Sequence, residues 1–143
     1  KSGQRKGLRA GFGSNLSIET FMKAKIKKFK PESEYFFEEG CFITELFNSS
    51  EDEAVSVAKA RVEPGKTTKW HRLDGITERY LILEGEARAE VEGIGIQDVG
   101  KGDMVLIPQL AKQRITNTGE TDLVFLAICS PRFTESAYCQ LED

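Results

Sequence analysis

Histidine is almost absent: the 143-residue chain holds one, His71. A site built from three histidines within one chain is therefore excluded, and so is a paired-histidine zinc motif. Cysteine is scarce as well. Cys41, Cys129 and Cys139 are odd in number and show no CxxC spacing, which argues against a disulfide framework and against a thiolate zinc site. Cys129 ends the apolar run Leu123–Cys129 and reads as a small buried hydrophobe. A nucleophilic thiol would want a basic partner, and His71 is the one imidazole on offer, so thiol catalysis is not expected. No apolar run approaches the ~20 residues of a membrane-spanning helix. The basic N-terminus lacks an apolar signal core, which makes the cytoplasm the expected location. With four Pro, thirteen Gly and a varied alphabet, collagen, low complexity and disorder are poor descriptions.

Charge is present but unevenly placed. Residues 1–30 carry nine Lys/Arg and one acid; residues 31–143 carry eleven Lys/Arg and twenty-two acids. The larger part is thus acidic, and no nucleic acid partner is expected. Residues 1–21 are rich in Gly, Ser and Lys/Arg without a hydrophobic period. They read as a flexible N-terminal arm or an added leader, with Met22 a candidate natural start. Residues 22–143 are enough for one domain, and a chain of this size needs no disulfide or metal staple to fold.

Beyond Lys23 the pattern is one of short strands. Five of the thirteen aromatics fall in Glu34–Phe47, which Gly40 divides. Ala54–Val62 alternates, Arg79–Leu83 is apolar, and Glu86–Glu92 puts Ala87, Ala89 and Val91 on one face. Gly and Pro punctuate the rest, with turns at Glu63–Gly65, Gly100–Asp103 and Asn117–Gly119. Strands at spacings of roughly eight to twelve residues predict an all-β sandwich or barrel. A short helix is expected near Thr134–Leu141.

Two stretches carry further information. Gly65 is followed by five residues and His71, then Leu73, Glu78 and, six residues on, Gly85. Later, Gly102, Pro108, Leu110, Gln113 and Asn117 fall at a second fixed set of spacings. Together they resemble the two motifs of the cupin superfamily, most closely the small single-domain cupins called mannose-6-phosphate isomerase-like. Three positions depart from the pattern: Leu73 and Gln113 stand where the family has histidines, and Leu110 where it has glycine. The resemblance implies a cupin double-stranded β-helix, a jelly-roll barrel, with an altered metal site. It also implies a homodimer, since many cupins pair through their N-terminal strands.

Carried onto these residues, the family site would use the positions of His71, Leu73, Glu78 and Gln113, all turned into the barrel mouth. Residues two apart on a strand share a face, so His71 lies with Leu73, and Glu78 with Tyr80 and Ile82. Leu73 cannot bind a metal. His71, Glu78 and Gln113 remain as one imidazole, one carboxylate and one amide oxygen, a set able to hold Mn, Fe, Ni or Zn weakly. His71 and Glu78 are candidate acid–base groups and Tyr80 a third catalytic candidate. The plainer readings are a structural histidine, a rim carboxylate paired with Arg72, Arg79 or Arg114, a neutral glutamine left by loss of metal, and an aromatic core residue with a wet tip. By strand parity Trp70, Arg72, Arg79 and Arg114 face away from the site. The acids Glu38 and Glu39 suggest that part of the aromatic segment is exposed.

Three functions compete, of which an assembly role through a dimer face is favoured by the aromatic segment alone. Of the others, one is a metal-dependent enzyme of isomerase, lyase or dioxygenase type acting on a small polar molecule, with no organic cofactor. The other is a binding module that holds such a molecule in the barrel mouth and has lost its metal.

Overall fold

Alternation of apolar and polar residues sends every second side chain of a strand inward, and burial follows that alternation in Thr77–Glu84, Glu86–Val91, Met104–Ile107 and Gln113–Asn117. The computed structural model describes residues 22–143; the expected arm, residues 1–21, lies outside the described residues. In chain order the strands are β1 Tyr35–Phe37, β2 Cys41–Phe47, β3 Ser56–Val62, β4 His71–Leu73, β5 Thr77–Glu84, β6 Glu86–Val91, β7 Gly95–Gly100, β8 Met104–Ile107, β9 Gln113–Asn117, β10 Leu123–Ser130 and β11 Tyr138–Gln140. They form two sheets. The first has the order β1-β2-β3-β10-β5-β8 and the second β11-β4-β9-β6-β7. Every pairing is antiparallel. The expected all-β jelly-roll barrel is what the chain adopts.

The two inner faces meet in one apolar core. Ala87, Ala89 and Val91 line it from β6, as their spacing predicts. Val62, Ile82, Ile107, Ile115, Leu123 and Phe125 are all but sealed from water. A smaller cluster of Leu73, Ile76, Cys129 and Ala137, with Phe133 and Tyr138 against it, closes one end. The site lies between these two clusters.

The second motif's glycine position has a visible reason. Leu110 adopts φ 66°, and it is the one non-glycine residue with positive φ among those described. Left-handed backbone favours glycine, so Leu110 occupies the strained conformation that the motif's turn demands.

The C-terminus departs from expectation. Thr134–Leu141 is not a helix: a single 3-10 turn, Glu135–Ala137, leads into strand β11. Pairing explains the difference. Tyr138 lies opposite Leu73 and Gln140 opposite His71, so the edge of β4 supplies backbone partners that an isolated two-turn helix would lack. No described helix is long and apolar enough to cross a membrane.

Candidate functional site

Strand register assembles the site from both sheets. His71 on β4 lies opposite Gln113 on β9. Glu78 on β5 lies opposite Cys129 on β10. Parity turns all four inward, and His71, Glu78, Gln113 and Tyr80 are buried, as is Leu73. The expectation that the His71 and Glu78 faces both point into the barrel therefore holds. Arg114 lies on the outer face, its guanidinium 4.4 Å over the Trp70 ring and ion-paired with Glu90.

Glu78 finds its partners inside the barrel rather than among arginines. The Gln113 amide Nε2 donates to Glu78 Oε1 at 2.8 Å. The Cys129 thiol donates to Glu78 Oε2 at 3.4 Å. Arg79 turns instead to the Ser130 hydroxyl at 2.7 Å. Burial pushes the Glu78 carboxyl above the usual carboxylate range, and the nearby Glu39 adds to the shift, while His71, Gln113 and Cys129 oppose it. Burial likewise keeps the Cys129 and Cys41 thiols protonated, in line with the expectation against thiol catalysis.

His71 is fixed from behind. Its Nδ1–H donates to the Lys69 carbonyl at 2.7 Å, which leaves the lone pair on Nε2. The ring stacks on Tyr138, centroids 5.4 Å apart. Burial holds the imidazole below its ordinary pKa, so it is neutral at neutral pH. Its Nε2 faces Glu39 Oε2 at 3.5 Å.

Glu39 is the residue that strand-based reading misses. It lies in the turn between β1 and β2 and is 8% exposed, whereas its neighbour Glu38 faces solvent. The expectation that both acids mark an exposed stretch is thus corrected for Glu39. Two backbone features turn it inward: Gly40 at φ 105°, and the Lys69 N–H donating to the Glu39 carbonyl at 2.7 Å. The Gly after a Glu pair was the available signal. Burial pushes the Glu39 carboxyl up to about 8. With His71 neutral, the proton of this pair resides on the carboxyl at neutral pH.

A cavity of about 60 Å3 runs inward from the N-terminal strands. Glu39, Glu78, Tyr80, Cys129, Phe37 and Phe133 are among its walls; His71 and Gln113 stand behind them. Tyr80 packs on Phe125 with centroids 4.3 Å apart, and burial raises its hydroxyl well above the ordinary value, so the phenol can act only as a neutral donor or acceptor.

The expected metal ligands fit a metal poorly in this arrangement. Gln113 presents its amide N–H to Glu78, and both Glu78 oxygens accept from other groups. Leu73 packs in the apolar end cluster. Among the described residues no three His, Cys, Asp or Glu side chains are disposed to hold an ion. One buried acceptor, Gln113 Oε1, has no partner.

Residues 58–129 match the model of the cupin domain family. The chain belongs to that family. Among curated cupin relatives, an oxalate-binding protein from Thermotoga maritima is 34% identical over 71 residues, covering 50% of this chain and 58% of that protein. The match thus spans less than two thirds of the relative. A Streptomyces protein, Pac13, described as a nucleoside dehydratase, superposes with a TM-score of 0.68 at 15% identity, over 82% of this chain and 92% of its own. The oxalate decarboxylase of Lactobacillus farciminis, in a formate complex, gives 0.65 at 21% identity, over 76% of this chain and 33% of its own. At these identities the two structures speak for the cupin fold alone.

Proposed function

We propose that this cupin binds a small polar molecule in the barrel cavity, against Glu78 and Tyr80, without a metal ion at His71, Glu78 and Gln113. The observation that carries the reading is the cavity itself: a mostly apolar pocket whose wall contains a buried carboxyl and a buried phenol. Few convergent polar groups on an apolar lining are the usual character of a small-molecule site. The curated relative's name, an oxalate-binding protein, supports small-molecule binding as the general role.

The residues divide their roles by position. Glu78, whose carboxyl burial pushes above the ordinary range, meets the ligand from the cavity wall, with Gln113 and Cys129 fixing its two oxygens. Tyr80 orients the ligand through its hydroxyl. His71 acts through Glu39, as a positioning residue and proton acceptor one step from the cavity. An acid and a base held neutral side by side can also serve proton transfer, and turnover of an isomerase or lyase type is the second reading; the His71–Glu39 contact is what favours it. A homodimer remains our proposal as well, supported by Tyr35 and Phe36, 44% and 63% exposed on the edge strand β1.

The test is a thermal-shift screen of small polar molecules on wild type and Glu78→Gln. A ligand at ~100 times its Kd should stabilise the wild type by about 2.7 kcal/mol, and the shift should vanish in the variant. Equal shifts in both proteins would overturn the role of Glu78.

A further inference from the structure

The charges around the cavity say which molecule suits it. Three carboxyl groups line it, those of Glu39, Glu45 and Glu78, and among the described residues no Lys, Arg or His does. The base nearest Glu39 is His71, held neutral. At the rim, Lys27 Nζ donates to the Glu45 backbone carbonyl at 3.4 Å, outside the cavity wall, and its charge also acts on the Glu45 carboxyl, while Tyr35 donates to that carboxylate at 3.3 Å. An anion entering here would lose its water and meet carboxyl groups. Such a transfer is costly without a paired charge.

The acids are not the whole of the site. The Glu39 carboxyl is more than nine-tenths buried and lines the cavity, with His71 Nε2 3.5 Å away and the Cys41 thiol as a hydrogen-bond donor. The His71 separation exceeds a good hydrogen bond, so Glu39 relies on a weak thiol donor, and its carboxyl lines the cavity with acceptor capacity to spare. The other walls are aromatic: Tyr35, Phe37, Tyr80, Phe125 and Phe133. Aromatic faces attract a desolvated cation, ammonium ions above all.

We propose that the cavity takes a small organic ammonium ion, its nitrogen between the Glu39 and Glu78 carboxyl groups and its carbon substituents on the aromatic walls. The cation takes the place of the carboxyl proton, which passes to solvent on binding. The inference rests on the binding reading above and names its ligand class. It also sets this chain apart from its curated relative, whose name specifies a dicarboxylate. The size agrees. A cavity of about 60 Å3 accommodates a few water-sized groups, which suits a headgroup of a few heavy atoms.

Calorimetric titration of the full chain with choline, ethanolamine and 3,3-dimethylbutanol tests charge directly, since the last is a neutral analogue of choline. Oxalate, formate and zinc chloride complete the set. We expect one of the two ammonium ions to bind at least about tenfold more tightly than the neutral alcohol, oxalate and formate to give no heat of binding, and Glu39→Gln to remove the preference for charge. Binding of oxalate or formate with no response to the amines would overturn this inference and leave the small-molecule reading standing. The same holds if the neutral alcohol equals choline, a comparison that needs no variant to fold. Tight zinc binding without amine binding would overturn the inference in favour of a metal cation. Silence from every probe would overturn both the ligand class and the binding reading.

Discussion

The Gln113 amide donates to Glu78 across 2.8 Å and so ties β9 of one sheet to β5 of the other. This bond crosses the barrel interior at its chemical centre. It holds a carboxyl that burial would otherwise leave without enough partners, and it turns that carboxyl toward the cavity. Gln113 thus has a defined task at a position where the cupin motif carries histidine.

Removing that task should be costly. Gln113→Ala leaves the buried Glu78 carboxyl with one thiol donor and opens a void behind it. We expect a loss of about 2–4 kcal/mol in urea unfolding. Glu78→Gln keeps the shape but removes the buried acid, and should fold with near wild-type stability while losing ligand. If Gln113→Ala unfolds at the wild-type urea midpoint, the bond contributes nothing and Gln113 is a bystander.

Much of this centre was legible in the chain. Strand parity alone places His71 with Leu73 and Glu78 with Tyr80 on inward faces, and puts Trp70 and Arg114 outside together. Motif spacing adds Gln113. Glu39 was not legible, because a charged residue in a turn carries no period, and its burial comes from Gly40 and the Lys69 contact. Nor was the Cys129 thiol on Glu78, since it depends on β10 lying beside β5. Strand β11 was missed for the same kind of reason: its partner β4 lies more than sixty residues earlier, and local propensity says nothing about an edge waiting for a strand.

The buried acids should make stability fall as pH rises. Glu39 has a folded-state pKa of about 8, against an ordinary value of 4.5, so the folded state holds a proton that the unfolded chain has released. Stability is then lost from about pH 4.5 up to about 8, by at most ~1.4 kcal/mol per pH unit for each such proton. Glu78 acts in the same sense. His71 acts oppositely, but only below its ordinary value of 6.5. The clean window is therefore pH 6.5–8. There we expect the urea midpoint to fall with pH in wild type and to fall less steeply in Glu39→Gln. A midpoint that is flat or rising across that window would show that these carboxyls are ionised in the folded protein.

Metal content gives a third check. Protein purified without chelator and without a nickel column should carry well below one transition metal per chain by elemental mass spectrometry. Replacing the two departures together, Leu73→His with Gln113→His, should restore a three-histidine and glutamate set and raise the metal content toward one. Near-stoichiometric metal in the wild type, lost in His71→Ala, would reverse the assignment and make His71, Glu78 and Gln113 a metal centre.

Leu110 offers a test of the fold's own motif. Its backbone is left-handed, φ 66°, a conformation that costs a residue with Cβ about 1–2 kcal/mol. Its amide donates to the Leu73 carbonyl at 2.8 Å, which fixes the turn beside β4. The side chain is 45% exposed, so truncating it forfeits only part of its burial. Glycine would remove the strain but add freedom to the unfolded chain, at roughly 0.5–1 kcal/mol. Strain relief and unfolded-state entropy nearly balance, with the strain slightly larger. Leu110→Gly should therefore be neutral to stabilising by up to about 1 kcal/mol, the reverse of the usual sign for glycine substitutions. Leu110→Val sets the opposite arm, because a β-branched residue tolerates positive φ worse, and it should lower the urea midpoint. Should Leu110→Gly be the more destabilising of the two, the turn does not need a left-handed residue and the second motif's glycine position has another cause.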